Sequence, residues 1–396
     1  MNILVLAPHP FFQNRGTPIA VKLLLTALSE NGHRVDVLTF PGGQDVSLRN
    51  VRILRLRKTF GIDGVPIGFS LKKVFYDVLL SLRMLALLRA NRYDLIHAVE
   101  ESAFIAIAGK ILFKTPYVFD MDSSIPDQIL EKYPNLRLTH RVLRRIERIM
   151  IRRSIFVVAV CESLSKIARE WKPENRVAIL EDVPLFSSRE EAKSLGSAEC
   201  LGVSGAVVMY VGNLEAYQGI DLLLESFRIA HGRDGRHHLV IIGGAEADIA
   251  RYAGMAGGLG IGDHVHFLGP KPVEDLPKYL GEADILVSPR IRGENTPMKI
   301  YSYMLSGKPV LATRMRTHTQ VLNDCNAVLA DPVPGRFADA LCELLEDPRK
   351  RGEIGLRAVR DVEERYSFKV YKEKLARIYG AIAQELGTKV EAREDR

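Results

Sequence analysis

The stretch that carries the most chemistry is residues 288–313 (SPRIRGENTPMKIYSYMLSGKPVLAT). Thr296 and Pro297 are typical of the N-cap and the first position of a helix, whose amino end carries partial positive charge. Glu294 lies in the loop just before that helix. Further polar residues surround the same point: Arg290, Arg292, Asn295 and Lys299. The helix dipole, the backbone amides and the cations together predict a diphosphate site, at which Glu294 accepts hydrogen bonds from sugar hydroxyls. The alternative is that these arginines are simply solvated on a loop.

The turn Pro8–Pro18 (PHPFFQNRGTP) follows the first predicted strand and offers backbone amides of the same kind. Gly16 permits backbone conformations that other residues avoid, and Thr17 can cap the helix that follows. Arg15 stands beside these amides, so the turn is a candidate anion site. The alternative is an ordinary strand-to-helix connection.

A second turn of this type lies within residues 210–227 (YVGNLEAYQGIDLLLESF), where a strand ends at Gly212. Asn213 and Gln218 add neutral hydrogen-bond donors to the backbone amides of the loop. The turn at Gly243, after the next strand, presents backbone amides in the same way. No G-x-G-x-x-G follows a predicted strand, so the sequence does not favour a dinucleotide-dependent oxidoreductase.

Strands that alternate with helices must position these turns, a pattern typical of parallel sheets with helical crossovers. The predicted strands are 2–7, 35–39, 51–56, 94–99, 116–120, 155–160, 206–211, 238–242, 264–268, 284–288, 309–312 and 326–330. The predicted helices are 17–31, 69–90, 101–113, 137–153, 161–171, 219–231, 245–258, 273–281, 297–306 and 335–346. The fold class is therefore α/β.

The length of 396 residues predicts two domains. The polar segment 182–200 has no sustained period and suits a linker between them. We expect a Rossmann-like domain over 1–184 and a second over 185–366, with a helix over 367–387 that crosses back and a disordered tail over 388–396. Two such sheets facing across a cleft bind ligands at the carboxyl ends of their strands.

Composition and charge limit the class of protein. The hydrophobic fraction of 47% and the charged fraction of 26% are typical of a soluble globular protein. Residues 1–185 hold 27 Lys and Arg against 18 Asp and Glu, so the first half should meet an anionic partner. The run 71–90 is interrupted by charges and no signal peptide is recognised, so we expect a cytoplasmic protein. The cysteines show no disulfide or zinc spacing: Cys161, Cys200, Cys325 and Cys342.

On these motifs the second half resembles the family-4 retaining glycosyltransferases of the GT-B fold. The residues that carry the resemblance are YVGN…GIDLLLESF, HLVIIGG, HVHFLGP, EADILVSP, GEN and YMLSGKPVLAT, in this order. The first turn with ENGHRVDVLT is similar to that family's first βα unit. The resemblance implies transfer from a nucleotide-diphosphate sugar, without cofactor or metal, with catalysis resting on stabilisation of the leaving diphosphate.

By this resemblance Glu294 matches the first glutamate of the family's E-x7-E motif, which is expected to touch the donor sugar. Ser302 stands at the second position, where the family has a glutamate that holds the ribose. Asn213 and Gln218 stand where the family has a phosphate-binding arginine and lysine, and Lys271 lies where members meet the base. The hypothesis that follows is that nearby cations replace the missing ones: Arg290, Arg292 and Lys299.

The resemblance also points to acids in the first half. The family's histidine near the reacting centre corresponds to Asp122, just after the strand 116–120. Asp120 and Asp122 imitate a metal-binding D-x-D, but metal is not expected in this fold, and we expect them to hydrogen-bond the sugar or the acceptor. Three residues that end the preceding strand are expected to join them, or else to lie at the rim: His97, Glu100 and Glu101.

A basic segment over 137–153 (RLTHRVLRRIERIMIRR) has seven arginines and one glutamate. Apolar positions 142, 146, 149 and 150 follow helical spacing and are predicted to pack on the core. The arginines then form a cationic surface that is either solvated or bound peripherally to an anionic membrane at its inner face. Aromatic interleaving is absent, which argues against nucleic acid.

The sequence thus predicts a metal-independent hexosyltransferase that acts on a hydroxyl acceptor, either a glycan or a lipid-linked acceptor. Two alternatives remain open at this stage. One is a nucleotide-sugar epimerase of the same fold, which needs no acceptor. The other is a non-catalytic sugar-nucleotide-binding homologue, suggested by Asn213, Gln218 and Ser302.

Overall fold

The computed structural model describes residues 1–13, 16–58, 70–132, 139–192 and 205–394. The chain divides into two compact units. The first unit consists of Met1–Glu181 together with Tyr371–Arg396, and the second unit is Asp182–Val370.

The first unit is a Rossmann-like layer of strands and helices. Its strands are β1 (Asn2–Pro10), β2 (Arg34–Phe40), β3 (Val51–Arg55), β4 (Leu95–Val99), β5 (Tyr117–Met121), β6 (Phe156–Ala159) and β7 (Val177–Ile179). Its helices are α1 (Gly16–Glu30), α2 (Leu71–Ala90), α3 (Ser102–Phe113), α4 (Ile125–Lys132), α5 (His140–Arg153) and α6 (Glu162–Arg169). Within the described residues the strands form one parallel sheet in the order β3-β2-β1-β4-β5-β6-β7.

Strand β1 shows why this sheet forms. Each of its residues after Asn2 is buried, which is typical of a central parallel strand covered by helices on both faces. Alternate side chains point to opposite faces, so Leu4 and Leu6 join the core that contains Tyr76 of α2 and Ala106 of α3.

The second unit repeats the architecture. Its strands are β8 (Val207–Val211), β9 (His238–Ile242), β10 (Val265–Gly269), β11 (Ile285–Ser288), β12 (Val310–Thr313) and β13 (Val328–Ala330). Its helices are α7 (Ile220–Arg233), α8 (Glu246–Gly258), α9 (Leu276–Glu282), α10 (Lys299–Ser306), α11 (Arg316–Thr319), α12 (Pro334–Glu346) and α13 (Pro348–Arg365). Within the described ranges the parallel order is β10-β9-β8-β11-β12-β13. The last helix, α14 (Phe368–Glu394), follows, and its residues from Tyr371 belong to the first unit.

Several elements differ from the sequence predictions. Strand β7 and helices α4, α11 and α13 were not predicted. Strand β1 continues to Pro10, because Pro10 pairs with Phe40 of β2, so Pro8–Pro10 belong to the strand and not to the turn. Helix α14 runs to Glu394 and includes most of the segment predicted as a disordered tail, since TKVEARE has no helix breaker.

The predicted linker 182–200 is described as far as Ala192; residues 193–200 lie outside the described residues. Its first part packs on the second unit, where Phe186 and Ala192 are buried in a core with Met209 and Tyr303. The spaced apolar residues of this segment therefore anchor it, although its composition is polar overall.

Candidate functional site

The carboxyl ends of β8, β9 and β10 are tied together by glycines. The Gly212 N–H donates to the Ile242 carbonyl at 2.9 Å, and the Gly243 N–H donates to the Gly269 carbonyl at 2.9 Å. A Cβ on Gly243 would lie 2.2 Å from the Gly212 carbonyl oxygen, so a side chain there would collide with the backbone. The three strand ends form one surface of backbone groups.

Asn213 and Gln218 hold the loop that follows β8. The Gln218 amide donates to Asn213 Oδ1 at 3.1 Å, and the Tyr210 hydroxyl donates to the Asn213 carbonyl at 2.6 Å. Gln218 is buried. The two amides that stand where the family has cations therefore order the loop in this structure.

Lys299 supplies a cation beside that loop. Its Nζ is buried, has no hydrogen-bond partner among the described residues, and lies 3.8 Å from the centroid of the Tyr210 ring. A Cβ on Gly212 would lie 3.2 Å from this Nζ, which places the ammonium group at the end of β8. Burial, followed by the positive charge of Arg290, lowers the pKa of Lys299 well below its ordinary value. A buried lysine in this state gains by binding an anion.

Arg290 organises the loop between β11 and α10. Its guanidinium donates to the Arg292 carbonyl at 2.7 Å and to Asn295 Oδ1 at 3.0 Å, and it lies over the Tyr217 ring. Asn295 is also held by the Thr317 hydroxyl, which donates to its carbonyl at 2.6 Å. The loop is thus fixed from within by Arg290 and from outside by Thr317 of α11.

Glu294 is exposed on this loop. Its Oε2 lies 3.9 Å from Arg316 Nε, and its carbonyl accepts a hydrogen bond from Gln320 at 2.8 Å. Both members of the ion pair are about half exposed, so the contact contributes little to stability and leaves the carboxylate near solvent. Arg292 and Lys271 are exposed as well.

The helix start is not where the sequence predicted it. Helix α10 begins at Lys299 with Met298 as its N-cap, and Thr296 does not cap it. Thr296 is buried and its Oγ1 meets no hydrogen-bond partner in the described part of the chain. The Ile300 N–H instead donates to the Pro297 carbonyl at 2.9 Å, a tighter turn that uses one of the amides expected to be open.

Ser302 is fully buried within α10, and its hydroxyl accepts a hydrogen bond from the Leu185 N–H at 3.0 Å. The side chain that was expected at the donor ribose therefore holds the segment that leads into the second unit. It does not face solvent in this structure.

In the first unit, the connection between β1 and α1 is shorter than predicted, because β1 continues to Pro10. Helix α1 begins at Gly16, so Thr17 lies inside its first turn and is not the cap. Arg15 lies outside the described residues.

The acids of the first unit surround the ends of β4 and β5. Asp120 is on β5 and Asp122 follows it, while Glu100 follows β4 in the left-handed region with φ 50°. The Glu100 N–H donates to the Asp120 carbonyl at 2.9 Å, so the two strand ends are joined. His97 is fully buried, and its Nε2 lies 2.9 Å from Asp120 Oδ2.

Two residues of α2 complete this acidic group, and sequence reasoning missed both. Lys73 Nζ lies 2.5 Å from Glu101 Oε1, and Asp77 Oδ1 is buried with no hydrogen-bond partner among the described residues. Burial, then the negative charge of Glu101, raises the pKa of Asp77 to about 7. The same two causes raise the pKa of Glu100 to about 7. The group can hold a proton near neutral pH, as acid–base chemistry at a hydroxyl requires.

No group of three or more His, Cys, Asp or Glu within the described ranges is arranged to hold a metal ion. No helix in the same ranges is long and apolar enough to cross a membrane.

Helix α5 combines arginines with exposed apolar side chains. Met150 and Ile151 are buried, but Val142 and Ile149 are 56% and 46% exposed, so the prediction that both pack on the core is wrong. The buried side of α5 consists instead of Glu147, Met150 and Ile151, with Ile146 partly buried against the same core. The neighbouring α3 also exposes large apolar residues: Phe104, Ile111, Leu112 and Phe113.

Comparison with known proteins gives family matches in both halves of the chain. The model of Glycosyl transferases group 1 matches residues 205–347, and that of Glycosyltransferase Family 4 matches residues 15–181.

The chain is 25% identical to phosphatidyl-myo-inositol mannosyltransferase of Mycobacterium leprae, over 99% of this chain and 99% of that protein. It is 29% identical to D-inositol 3-phosphate glycosyltransferase of Corynebacterium diphtheriae over 58% of this chain, a match that spans only 56% of that protein. The structure of Anabaena HepE in complex with UDP and glucose superimposes with a TM-score of 0.75 and 18% identity, over 96% of this chain and 100% of that chain.

Proposed function

We propose that this chain, which belongs to the family-4 glycosyltransferases of the GT-B fold, transfers a hexose from a nucleotide-diphosphate sugar to a hydroxyl acceptor with retention of configuration. The observation that carries the proposal is the buried ammonium group of Lys299 at the end of β8. It has no hydrogen-bond partner among the described residues, and a diphosphate is the ligand that would supply one.

The donor diphosphate binds at the second unit in this proposal. Lys299 supplies the positive charge that is missing at Asn213 and Gln218. The glycine backbone at Gly212 and Gly243 lets phosphate oxygens approach closely. When the bond between the anomeric carbon and the diphosphate oxygen breaks, negative charge grows on the diphosphate. A cation held in a dry site stabilises that charge more than the ground state.

Glu294 is proposed to accept hydrogen bonds from the hydroxyls of the donor sugar, with Lys271 near the base. The exposed carboxylate of Glu294 and the loop held by Arg290 support this assignment. The UDP and glucose in the Anabaena HepE structure make a uridine donor the first to test.

The acceptor hydroxyl is assigned to the acids of the first unit. Asp120 and Asp122 accept its hydrogen bond, and Glu100, with its raised pKa, can take up the proton that the hydroxyl loses on transfer. The full-length relative is named for transfer to phosphatidyl-myo-inositol, which supports a polyol or lipid-linked acceptor.

A lipid-linked acceptor fits the surface made by α3 and α5. This surface presents exposed apolar residues beside exposed arginines, the combination that binds the interface of an anionic membrane. Among the large hydrophobic residues that are exposed in the described part of the chain, all but Val333 and Leu356 lie in the first unit. We therefore propose peripheral membrane binding through the first unit, at the cytoplasmic face.

Thermal-shift screening with UDP, GDP and ADP, and with their sugars, tests the donor class, because binding to the folded state raises the melting temperature. The matching donor is then incubated with candidate acceptors and the product is analysed. Glu294→Ala should abolish turnover while binding of the nucleoside diphosphate persists, and Glu225→Ala, an exposed acid on α7, serves as the control. Retained turnover in Glu294→Ala would refute the assignment, and failure of every nucleotide to raise the melting temperature would refute the donor site.

The relatives named above are transferases, which gives the epimerase alternative no support. Formation of a glycosylated acceptor in the same assay also separates a working enzyme from a non-catalytic binding protein.

A further inference from the structure

His97 is a buried polar residue at the centre of a sheet strand. Its neighbours Ile96 and Ala98 belong to the core that α2 and α3 cover, so its ring points to the opposite face of β4. On that face it meets Tyr379 of α14, whose hydroxyl lies 2.7 Å from His97 Nδ1. The other ring nitrogen lies 2.9 Å from Asp120 Oδ2. A hydrogen-bond chain thus joins three residues that are far apart in the sequence.

The proton positions in this chain follow from the chemistry of its members. Burial, then the negative charge of Asp120, raises the pKa of Tyr379 well above its ordinary value, so the phenol keeps its proton. A neutral imidazole has one donor and one acceptor nitrogen. With Tyr379 donating to Nδ1, the Nε2–H donates to Asp120. The other tautomer would set a lone pair against the carboxylate.

The chain ends at a carboxylate that reaches solvent. The Asp120 side chain is 17% exposed, whereas the ring of His97 is fully buried. Asp120 is joined to the end of β4 through its carbonyl, which accepts from the Glu100 N–H. One side of Asp120 is therefore fixed by the protein and the other faces outward at the carboxyl edge of the sheet.

We propose that His97 and Tyr379 are positioning residues for Asp120, which they hold as an oriented carboxylate that accepts a hydrogen bond from the acceptor hydroxyl. The inference rests on the proposed function, which assigns Asp120 to the acceptor. It makes α14 part of the acceptor site of the first unit, although this helix lies at the other end of the sequence. Tyr379 acts only through His97 and does not itself contact substrate.

Tyr379→Phe is the direct test, because it removes only the hydroxyl. It keeps the aromatic ring, whose centroid lies 5.3 Å from that of the His33 ring. The catalytic efficiency toward the acceptor should fall about tenfold, the effect of losing one buried hydrogen bond, while the Kd of the nucleoside diphosphate stays unchanged. Histidine ¹⁵N NMR should show an Nε2–H tautomer in the wild type and a changed Nδ1 resonance in the variant.

Ile382→Val is the matched control, because it loosens packing on the same buried side of α14 and leaves the hydrogen-bond chain intact. If Tyr379→Phe and Ile382→Val lower the melting temperature alike and both keep wild-type kinetics toward the acceptor, the positioning role is overturned. An unchanged His97 tautomer and Nδ1 resonance in Tyr379→Phe overturns it as well. Absence of transfer by the wild type with every donor is a different result, since it removes the proposed function itself.

Discussion

At the scale of single residues, stability and binding are opposed at Lys299. Its buried Nζ has no hydrogen-bond partner among the described residues, and an unsatisfied buried polar group costs about 1–3 kcal/mol. We expect Lys299→Met to raise the free energy of unfolding of the free enzyme by about this amount. The same change should remove the stabilisation by nucleoside diphosphate that differential scanning fluorimetry measures in the wild type.

Lys308 offers a control for this experiment. Burial also lowers its pKa, but it precedes β12 and so lies at the amino edge of the sheet, opposite to Gly212. Lys308→Met should leave diphosphate binding intact. Undiminished diphosphate binding by Lys299→Met would show that the buried cation is not the diphosphate ligand, and a loss of stability would show that the free enzyme already satisfies this group.

The lowered pKa of Lys299 also predicts a proton uptake. In the free enzyme a fraction of this amine is neutral at pH values above its lowered pKa, and a bound diphosphate raises that pKa again. Binding should therefore take up a proton, and the affinity should weaken as the pH rises through this window. Calorimetric titration in buffers of different ionisation enthalpy measures the uptake. Lys299→Arg, which stays charged, should show no such uptake at this site.

Ser302 should affect stability and not diphosphate binding, in contrast to Lys299. Ser302→Ala leaves the Leu185 N–H without its partner, so we expect a loss of about 1–3 kcal/mol in the free energy of unfolding. The Kd of the nucleoside diphosphate should not change, because the hydroxyl is fully buried. Denaturant unfolding and calorimetry measure the two quantities. A weaker Kd without loss of stability would restore the expected contact with the donor.

Residue types at the ends of strands were readable from the sequence, and contacts between distant elements were not. Glu294 and Lys299 stand five residues apart in one recognisable stretch of sequence, so both could be proposed. Lys73 and Asp77 lie on α2, and only tertiary packing brings them to Glu101. Tyr379, the buried hydrogen-bond partner of His97, lies 282 residues away in the sequence.

At the scale of elements, most apolar runs were predicted, whereas several short or strongly charged elements were missed. Strand β7 has three residues, too few to show a period, and its position is fixed by pairing with β6. The strongly charged sequence of α13 conceals a stripe of buried positions that includes Ile354, Ala358 and Val362. Packing on neighbours decides such segments, and a single sequence does not show those neighbours.

The surface of α3 and α5 gives a prediction for vesicles. At low salt the wild type should sediment with anionic vesicles more than with neutral ones. Replacing exposed arginines on α5, as in Arg145→Glu with Arg152→Glu, should remove that difference. Replacing exposed apolar residues on α3, as in Phe104→Ser with Leu112→Ser, should weaken binding to both kinds of vesicle.

Val333→Ser is the control for these variants, since Val333 is an exposed apolar residue of the second unit. Equal sedimentation of the wild type with neutral and anionic vesicles at low salt would remove the membrane proposal. Unchanged sedimentation of the α3 variant would leave only an electrostatic contact.

At the scale of the whole molecule, the uneven distribution of charge matches the different roles that we propose for the two units, acceptor and membrane binding for the first and donor binding for the second. Residues 1–185 carry an excess of Lys and Arg, 27 against 18, while the remainder of the chain is close to neutral. The long-range field of the protein is therefore concentrated on the half that we assign to the acceptor and the membrane. The donor assignment depends instead on one buried cation, whose effect is local.

This difference predicts two salt dependences for one protein. The Debye length falls from about 10 Å at 0.1 M salt to about 3 Å at 1 M, which screens exposed charges far more than buried ones. Between about 0.05 and 0.5 M NaCl, sedimentation with anionic vesicles should fall steeply while the Kd of the nucleoside diphosphate weakens only a few-fold. Parallel loss of both would mean that exposed cations such as Arg292 and Lys271 hold the diphosphate, because the buried ammonium group of Lys299 is shielded from the added ions.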